Sequence, residues 1–374
     1  MPGQATTESR PPRLLLLGTL NSPHVEHLAL AMRARGHEVV AAGEVSKLLP
    51  DPALPAAGIA IREIRGRDLR AVRRAVRETR PDVVHANWLP GLALMAALVR
   101  ARPLIAMAWG SDVYAVDRRR LFQCRYTLRR SDLAMADSRV LIERLVELGA
   151  DPARVYLMRW GVDLDTFSPP VDRAAARREL GLGEGPVILS PRALTPVYNP
   201  GVVLAAFERL RERVPDAQLV LKHPSPREPV LDGRAIPAGV RVVGHVPYER
   251  MGDYFRAAEV CLSIPGSDSS PRSVWEAMAC GCPCVLSDLP WTRELIEGGR
   301  HALLVPPAAD AVATALERVL TDPQLAGSLA AEARTLVEAH HDREVHMDRL
   351  SDLYAAVAGG TYAEALVAGR MAPS

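Results

Sequence analysis

Lysine is nearly missing from this 374-residue chain: Lys47 and Lys222 are the only two, so 44 of its 46 basic side chains are arginine. A G+C-rich coding sequence produces such a skew, and it makes each lysine worth noticing. No uninterrupted apolar run approaches the roughly 20 residues of a membrane-spanning helix, which excludes an integral helical membrane protein. The four leucines at 14–17 make a run of strand length only. Five cysteines are too few for a disulfide scaffold. The first dozen residues carry no apolar core of a secretion signal, so a cytoplasmic protein is expected. Net charge is only +2, which gives no ground for a nucleic-acid partner.

What is present is ordinary globular chemistry, 48% hydrophobic and 24% charged, in a chain long enough for two cores. Charge divides unevenly: residues 1–160 sum to +9 and the remainder to −7. Short apolar runs at 13–18, 39–42, 59–64, 82–85, 104–108 and 133–136 alternate with helical patterns such as 24–35, 69–77 and 92–98. That alternation predicts a parallel sheet covered by helices. The pattern pauses through Phe167-Ser168-Pro169-Pro170 and restarts with strands at 187–191, 218–221, 240–243, 260–264, 284–286 and 302–305. From 308 to 359 it reads as three helices, broken at Pro323 and near 340–342. The expected fold is therefore α/β, with two facing Rossmann-like doubly wound domains over 1–165 and 166–344. In such sheets ligands bind outside the carboxyl ends of the strands.

The most informative segment is Pro265-Gly266-Ser267-Asp268-Ser269-Ser270-Pro271-Arg272-Ser273-Val274-Trp275-Glu276-Ala277-Met278-Ala279-Cys280-Gly281. A buried strand delivers a small-residue loop that opens directly into a helix. The free N–H groups of that helix start, around Ser270, Ser273 and Val274, form an anion site suited to a diphosphate. Asp268 and Glu276, with seven residues between them, could engage different parts of one extended ligand.

This segment resembles the carboxylate motif of the retaining GT-B glycosyltransferases of family 4, with Asp268 standing where the family has its first Glu. Gly161-Val162-Asp163 with Phe167 and Pro169, Val243-Gly244-His245-Val246-Pro247, Glu294-Leu295-Ile296 and Leu304-Val305-Pro306-Pro307 resemble further family patterns. The resemblance implies a nucleoside diphosphate sugar as donor, UDP or GDP, without metal or other cofactor. Glu276 would bind the ribose hydroxyls, Asp268 the donor sugar, and Arg192 the diphosphate. The base would lie near Gly244, His245 and Val246. The family's lysine after that arginine is missing; Asn199 stands in its register, and Lys222 is either its replacement or a surface lysine. The last stretch, 345–374, would pack back on the first domain.

That first domain is expected to bind an acceptor: a small molecule, a secondary metabolite or a glycolipid. Its candidates are Asn21, Ser22, His24 and Trp109, with His85 and Asp112 on the acceptor side of catalysis. His24 reads equally well as a helix cap, and Trp109 stands where many relatives have His. Other classes sharing the layout are a nucleotide-sugar 2-epimerase and a non-catalytic sugar-nucleotide-binding partner. Asp163-Leu164-Asp165 spells a metal-binding Asp-x-Asp but lies at the domain link, where turn-forming aspartates are expected. Cys280, Cys282 and Cys284 are spaced too closely for a structural zinc site and read as core. The helix over 66–80 sets Arg67, Arg70, Arg73, Arg74 and Arg77 against Leu69, Val72 and Val76. Its basic face is either solvated or a weak peripheral contact with an anionic membrane.

Overall fold

The computed structural model describes residues 10–47, 49–114, 116–223 and 236–362. Residues 363–374, part of the expected returning segment, lie outside them. Two compact units emerge: residues up to Ala136, Leu141–Met158 and those from Met347 form one, while Asp137–Val140 and Arg159–His346 form the other.

The first unit is built on seven parallel strands: β1 (Leu14–Leu17), β2 (Val39–Gly43), β3 (Ala60–Glu63), β4 (Val83–Asn87), β5 (Leu104–Met107), β6 (Leu133–Ala136) and β7 (Val155–Leu157). Their order is β3-β2-β1-β4-β5-β6-β7. The four leucines of β1 are fully buried, as a central strand covered on both faces requires. β3, at one edge, exposes three of its four residues. The sequence pattern shows six of these strands and passes over β7, whose three residues at the other edge carry no periodicity.

The second unit holds six parallel strands: β8 (Val187–Ser190), β9 (Gln218–Lys222), β10 (Val240–Val243), β11 (Val260–Ser263), β12 (Cys284–Ser287) and β13 (Leu303–Val305). They run β10-β9-β8-β11-β12-β13. Cys280, Cys282 and Cys284 are free thiols buried in this core.

Residues 159–165, expected in the first domain, join the second unit for a local reason. Val162 N–H donates to the His341 carbonyl at 2.6 Å, and Arg343 N–H returns to the Val162 carbonyl at 3.1 Å. Gly161 sits at φ +67, and a Cβ there would fall 2.4 Å from the Arg343 Cα. The Asp163 carboxylate caps its own turn through the Asp165 and Thr166 amides and pairs with Arg343 at 3.2 Å.

Pro323 and His341 end or begin helices at Ala309–Thr321, Pro323–His340 and Arg343–Ala358. The last helix lays Leu350, Leu353, Tyr354 and Val357 into the first unit's core. Its polar ties are Asp348 to Arg35 at 2.7 Å, Ser351 Oγ to His37 Nε2 at 2.8 Å, and Tyr354 O–H to His85 Nδ1 at 2.7 Å. The basic helix runs Leu69–Thr79, capped by Asp68. Arg70, Arg73, Arg74 and Arg77 are exposed and Val72 is buried; Leu69, expected on the inner side, is 39% exposed instead. No helix among the described residues is long and apolar enough to cross a membrane.

Burial holds the His85 imidazole neutral, with its pKa lowered from 6.5 to about 4. Between those values the unfolded chain binds more protons than the folded one, so this histidine's contribution is complete above pH 6.5 and is lost as the pH falls. Urea unfolding should show the native chain losing about 3 kcal/mol more than His85→Phe between pH 7 and pH 4. Parallel stability curves for the two proteins would contradict this.

Candidate functional site

In each sheet the strand order reverses once, and the reversal opens a crevice at the carboxyl ends of two strands. In the second unit those strands are β8 and β11. The loop after β8 carries Arg192, and the loop after β11 carries Asp268 and leads into the helix Arg272–Ala279. The two loops are stitched together: Gly266 N–H donates to the Val197 carbonyl at 2.8 Å, and Asn199 Nδ2 donates to the Ile264 carbonyl at 3.1 Å. Asn199 thus serves as a tie in the position where a lysine was missed.

Arg192 spans the gap. Its Nη2 donates to Asp268 Oδ2 at 2.5 Å, its Nη1 to Ser273 Oγ at 3.2 Å, and its guanidinium lies 4.2 Å from the centre of the Tyr198 ring. Among the described residues nothing accepts from its buried Nε. Asp268 also accepts from the Ser269 amide at 2.9 Å. Burial pushes the Asp268 carboxyl up, and Arg192 pulls it back.

Glu276 is buried, which raises its carboxyl pKa; Arg272, 3.6 Å away one helical turn earlier, and Lys222 both oppose that rise. Lys222, ending β9, is half-buried, with its ammonium disfavoured by burial and by Arg192 but favoured by Glu276. Lys222 therefore belongs to the same charge cluster as Arg192 and Glu276. Among the described residues no side chain caps the helix at Pro271, and the Val274 amide closes a turn on the Pro271 carbonyl at 3.1 Å. Ser273 is held by Arg192, Ser270 accepts from Trp275 Nε1 at 3.0 Å, and Val274 packs in the core. Gly244 and His245 are exposed beyond β10, with Val246 buried beneath them. Sequence reasoning passed over Tyr198 and Arg272. The four-residue spacing of Arg272 and Glu276 on one helix was the available signal for the second.

The first unit's reversal lies between β1 and β4. There a cavity of about 640 Å³ is lined by residues including Trp88, Trp109, His24, Met95, Arg67 and Glu44, and Ser22 reaches it too. Three expected residues are placed elsewhere. The Asn21 side chain is buried and ties down a neighbouring loop, donating to the Ser46 and Pro50 carbonyls and accepting from the Ser46 amide, each at 2.8 Å. His85 has no exposed surface and faces Tyr354. Asp112, also without exposed surface, spends both oxygens on the amides of Leu89 at 3.0 Å and Trp109 at 2.9 Å. Direct contact of His85 or Asp112 with an acceptor is not what this geometry provides; Asp112 positions the Trp109 loop instead. Trp88, Arg67 and Glu44 were not foreseen, since nothing in their spacing marks a cavity.

Residues 172–336 match the family described as glycosyl transferases group 1, and residues 22–166 match glycosyltransferase family 4. A D-inositol 3-phosphate glycosyltransferase of Xylanimonas cellulosilytica is 33% identical over 68% of this chain and 67% of its own length. The protein of that name from Kribbella flavida is 30% identical over the same shares. The structure of Anabaena HepE in complex with UDP-glucose superimposes with a TM-score of 0.79 at 17% identity, covering 92% of this chain and all of that one. With two parallel α/β units, both family matches and these relatives, the chain belongs to the GT-B glycosyltransferases of family 4.

Proposed function

We propose that this chain is a retaining, metal-independent glycosyltransferase that moves a sugar from a nucleoside diphosphate donor to a hydroxyl of a small-molecule, secondary-metabolite or glycolipid acceptor. The observation that carries the reading is the convergence of Arg192, Lys222 and an uncapped helix start on Asp268 and Glu276. Of these, a guanidinium, an ammonium and aligned amides meet the charge of a leaving diphosphate, while the carboxylates accept from vicinal hydroxyls of ribose and sugar. UDP and GDP are the donors we favour. The names of the relatives point to a cyclitol phosphate as one acceptor class among those open.

In the reaction the bond from the anomeric carbon to the diphosphate oxygen breaks, its electron pair leaving with the diphosphate. The acceptor oxygen bonds to the same face of that carbon, and its proton passes to the departing phosphate oxygen. Arg192 stabilises the leaving group more as charge builds, which lowers the barrier rather than merely tightening binding. Asp268, already paired with Arg192, couples the position of the donor sugar to that of the guanidinium. Trp109 and the loop held by Asp112 form the acceptor side.

The first test is thermal: a nucleoside diphosphate present at about 100 times its dissociation constant should stabilise the protein by ~2.7 kcal/mol. One clear winner among UDP, GDP, dTDP and ADP identifies the donor class, and Glu276→Ala should abolish the shift; no shift with any of the four sinks the reading.

Removing the guanidinium by Arg192→Ala should lower kcat by roughly 10²–10³, read as release of nucleoside diphosphate in the presence of acceptor. Asp268→Asn should tighten binding of the nucleoside diphosphate product, because a carboxylate no longer competes for Arg192, while slowing transfer. Weaker product binding in that variant would show that Asp268 does not compete with the diphosphate. Proton NMR of the product should show the donor's anomeric configuration kept. Conversion of the donor sugar without acceptor would identify an epimerase instead.

A further inference from the structure

We propose that the cavity between the loops after β1 and β4 receives the acceptor through a flat apolar ring, and that it selects an uncharged hydroxylated compound over a phosphorylated polyol. This deepens the glycosyltransferase reading and rests on it for the word acceptor.

Two indoles form the recognition surface. Trp109 is fixed in orientation: its Nε1 donates to Asn87 Oδ1 at 3.1 Å, and Asn87 Nδ2 in turn donates to the Leu17 carbonyl at 3.0 Å. The His24 ring lies 4.4 Å from it, centre to centre. Trp88 remains 42% exposed although it lines the cavity. Its backbone sits at φ +70, a left-handed conformation that a bulky side chain adopts only under constraint from its surroundings. Its ring rests on Gly91, where a Cβ would fall 2.7 Å from Trp88 Cδ1. The fold thus carries backbone strain to hold an indole at this surface, and it uses a glycine to make room beneath it. An indole presented this way offers stacking to a ring and gives little to a compact, highly hydrated polyol.

Charge argues the same way. The lining holds one guanidinium, Arg67, and one carboxylate, Glu44. Glu44 is partly engaged, with Oε1 accepting from the Gly66 amide at 2.7 Å. A phosphate dianion needs an excess of positive charge or several converging amides. Here the formal charges of Arg67 and Glu44 cancel; beside them Trp88, Trp109, Val25, Leu92 and Met95 are apolar, while Thr19, Ser22, His24 and Asn87 add polar groups without a second guanidinium or any ammonium. The same pair can still accept and donate to hydroxyls at the rim of a ring.

Isothermal titration of the full chain with three probes tests this: phenyl β-D-glucopyranoside, methyl β-D-glucopyranoside and D-myo-inositol 3-phosphate. The phenyl compound should bind at least tenfold more tightly than the methyl one, and the inositol phosphate should not displace it. Trp88→Gly should bring the two glucosides within about twofold of each other, while its backbone is suited to glycine and the fold is kept. Trp109→Ala should weaken the phenyl compound in the same direction. Equal affinities, no heat from either glucoside, tighter binding of the inositol phosphate, or an unchanged preference in Trp88→Gly would each overturn the proposal. The nucleoside diphosphate thermal shift separates the two readings. A lost ring preference with that shift intact strikes the acceptor class alone; a ring preference without the shift strikes the transferase reading alone.

Discussion

The contact between Arg192 and Asp268 is the constraint that joins the two loops at the second unit's crevice. These residues are separated by 76 positions and meet only because β8 and β11 are neighbours in the sheet while β9 and β10 lie to the other side of β8. Backbone stitching from Gly266 to Val197 and the Asn199 tie to Ile264 bring the two loops to a fixed separation. The guanidinium then spans that separation, supported by the Tyr198 ring. Stabilisation of a transition state is most effective when the stabilising group needs no reorganisation as charge develops. A loop-borne arginine meets that condition only when both loops are held, and here Asn199 ties the loops while the Tyr198 ring lies against the guanidinium.

Around that contact the ionisable groups nearly balance. Arg192, Lys222 and Arg272 face Asp268 and Glu276, a surplus of one positive charge when all five are ionised. Burial works against each charged form, raising both carboxyl pKa values and lowering that of Lys222, and the mutual proximity of opposite charges counters it. Such a cluster is costly as a stabilising device, because well-packed apolar side chains would serve the fold as well or better. It is economical as a site for an anion, since a diphosphate adds the negative charge that the surplus cation and the uncapped helix start favour.

Much of this was legible in the residues because strand runs and the Asp268 to Glu276 segment are local patterns. Leu14–Leu17 announces a central strand by itself, and the helix after Pro271 follows from its own sequence. β7 was not legible, since three edge residues carry too little periodicity, and Leu69 shows that the first residue of an amphipathic helix can turn outward before the stripe is established. Polar residues at strand ends proved harder. Asn21, His85 and Asp112 all lie where cleft residues belong by topology, yet each is turned inward to satisfy buried groups. Their partners come from Ser46, Tyr354 and Leu89, at separations from 23 to 269 residues, and no single-sequence pattern records such pairings. A loop's location is a topological property, but the direction of a side chain is decided by which buried donor or acceptor would otherwise go unpaired.

The two reversals put the same geometrical opportunity to opposite chemical use. Both are crevices at the carboxyl ends of parallel strands, yet one is lined with charge and the other with rings. Glycine accounts for part of the difference. In the first unit a Cβ at Gly43 would fall 1.8 Å from the Gly18 carbonyl oxygen, and one at Gly18 would fall 2.6 Å from Val25 Cγ2. β1 and β2 thus leave their sheet with backbones in close approach, and Gly18 lines the same cavity as the indoles of the β4 and β5 loops. In the second unit Gly266 has no such crowding: a Cβ there would have Asn199 Nδ2 at 3.6 Å and the Val197 carbonyl oxygen at 3.8 Å as its nearest neighbours. The basic excess of the first 160 residues consequently does not reach their own crevice: Arg70, Arg73, Arg74 and Arg77 stand exposed on a surface helix, while the crevice itself keeps one arginine and one glutamate. Net charge summed along a chain is a poor guide to the field inside a site, because packing, not composition, decides which charges face it.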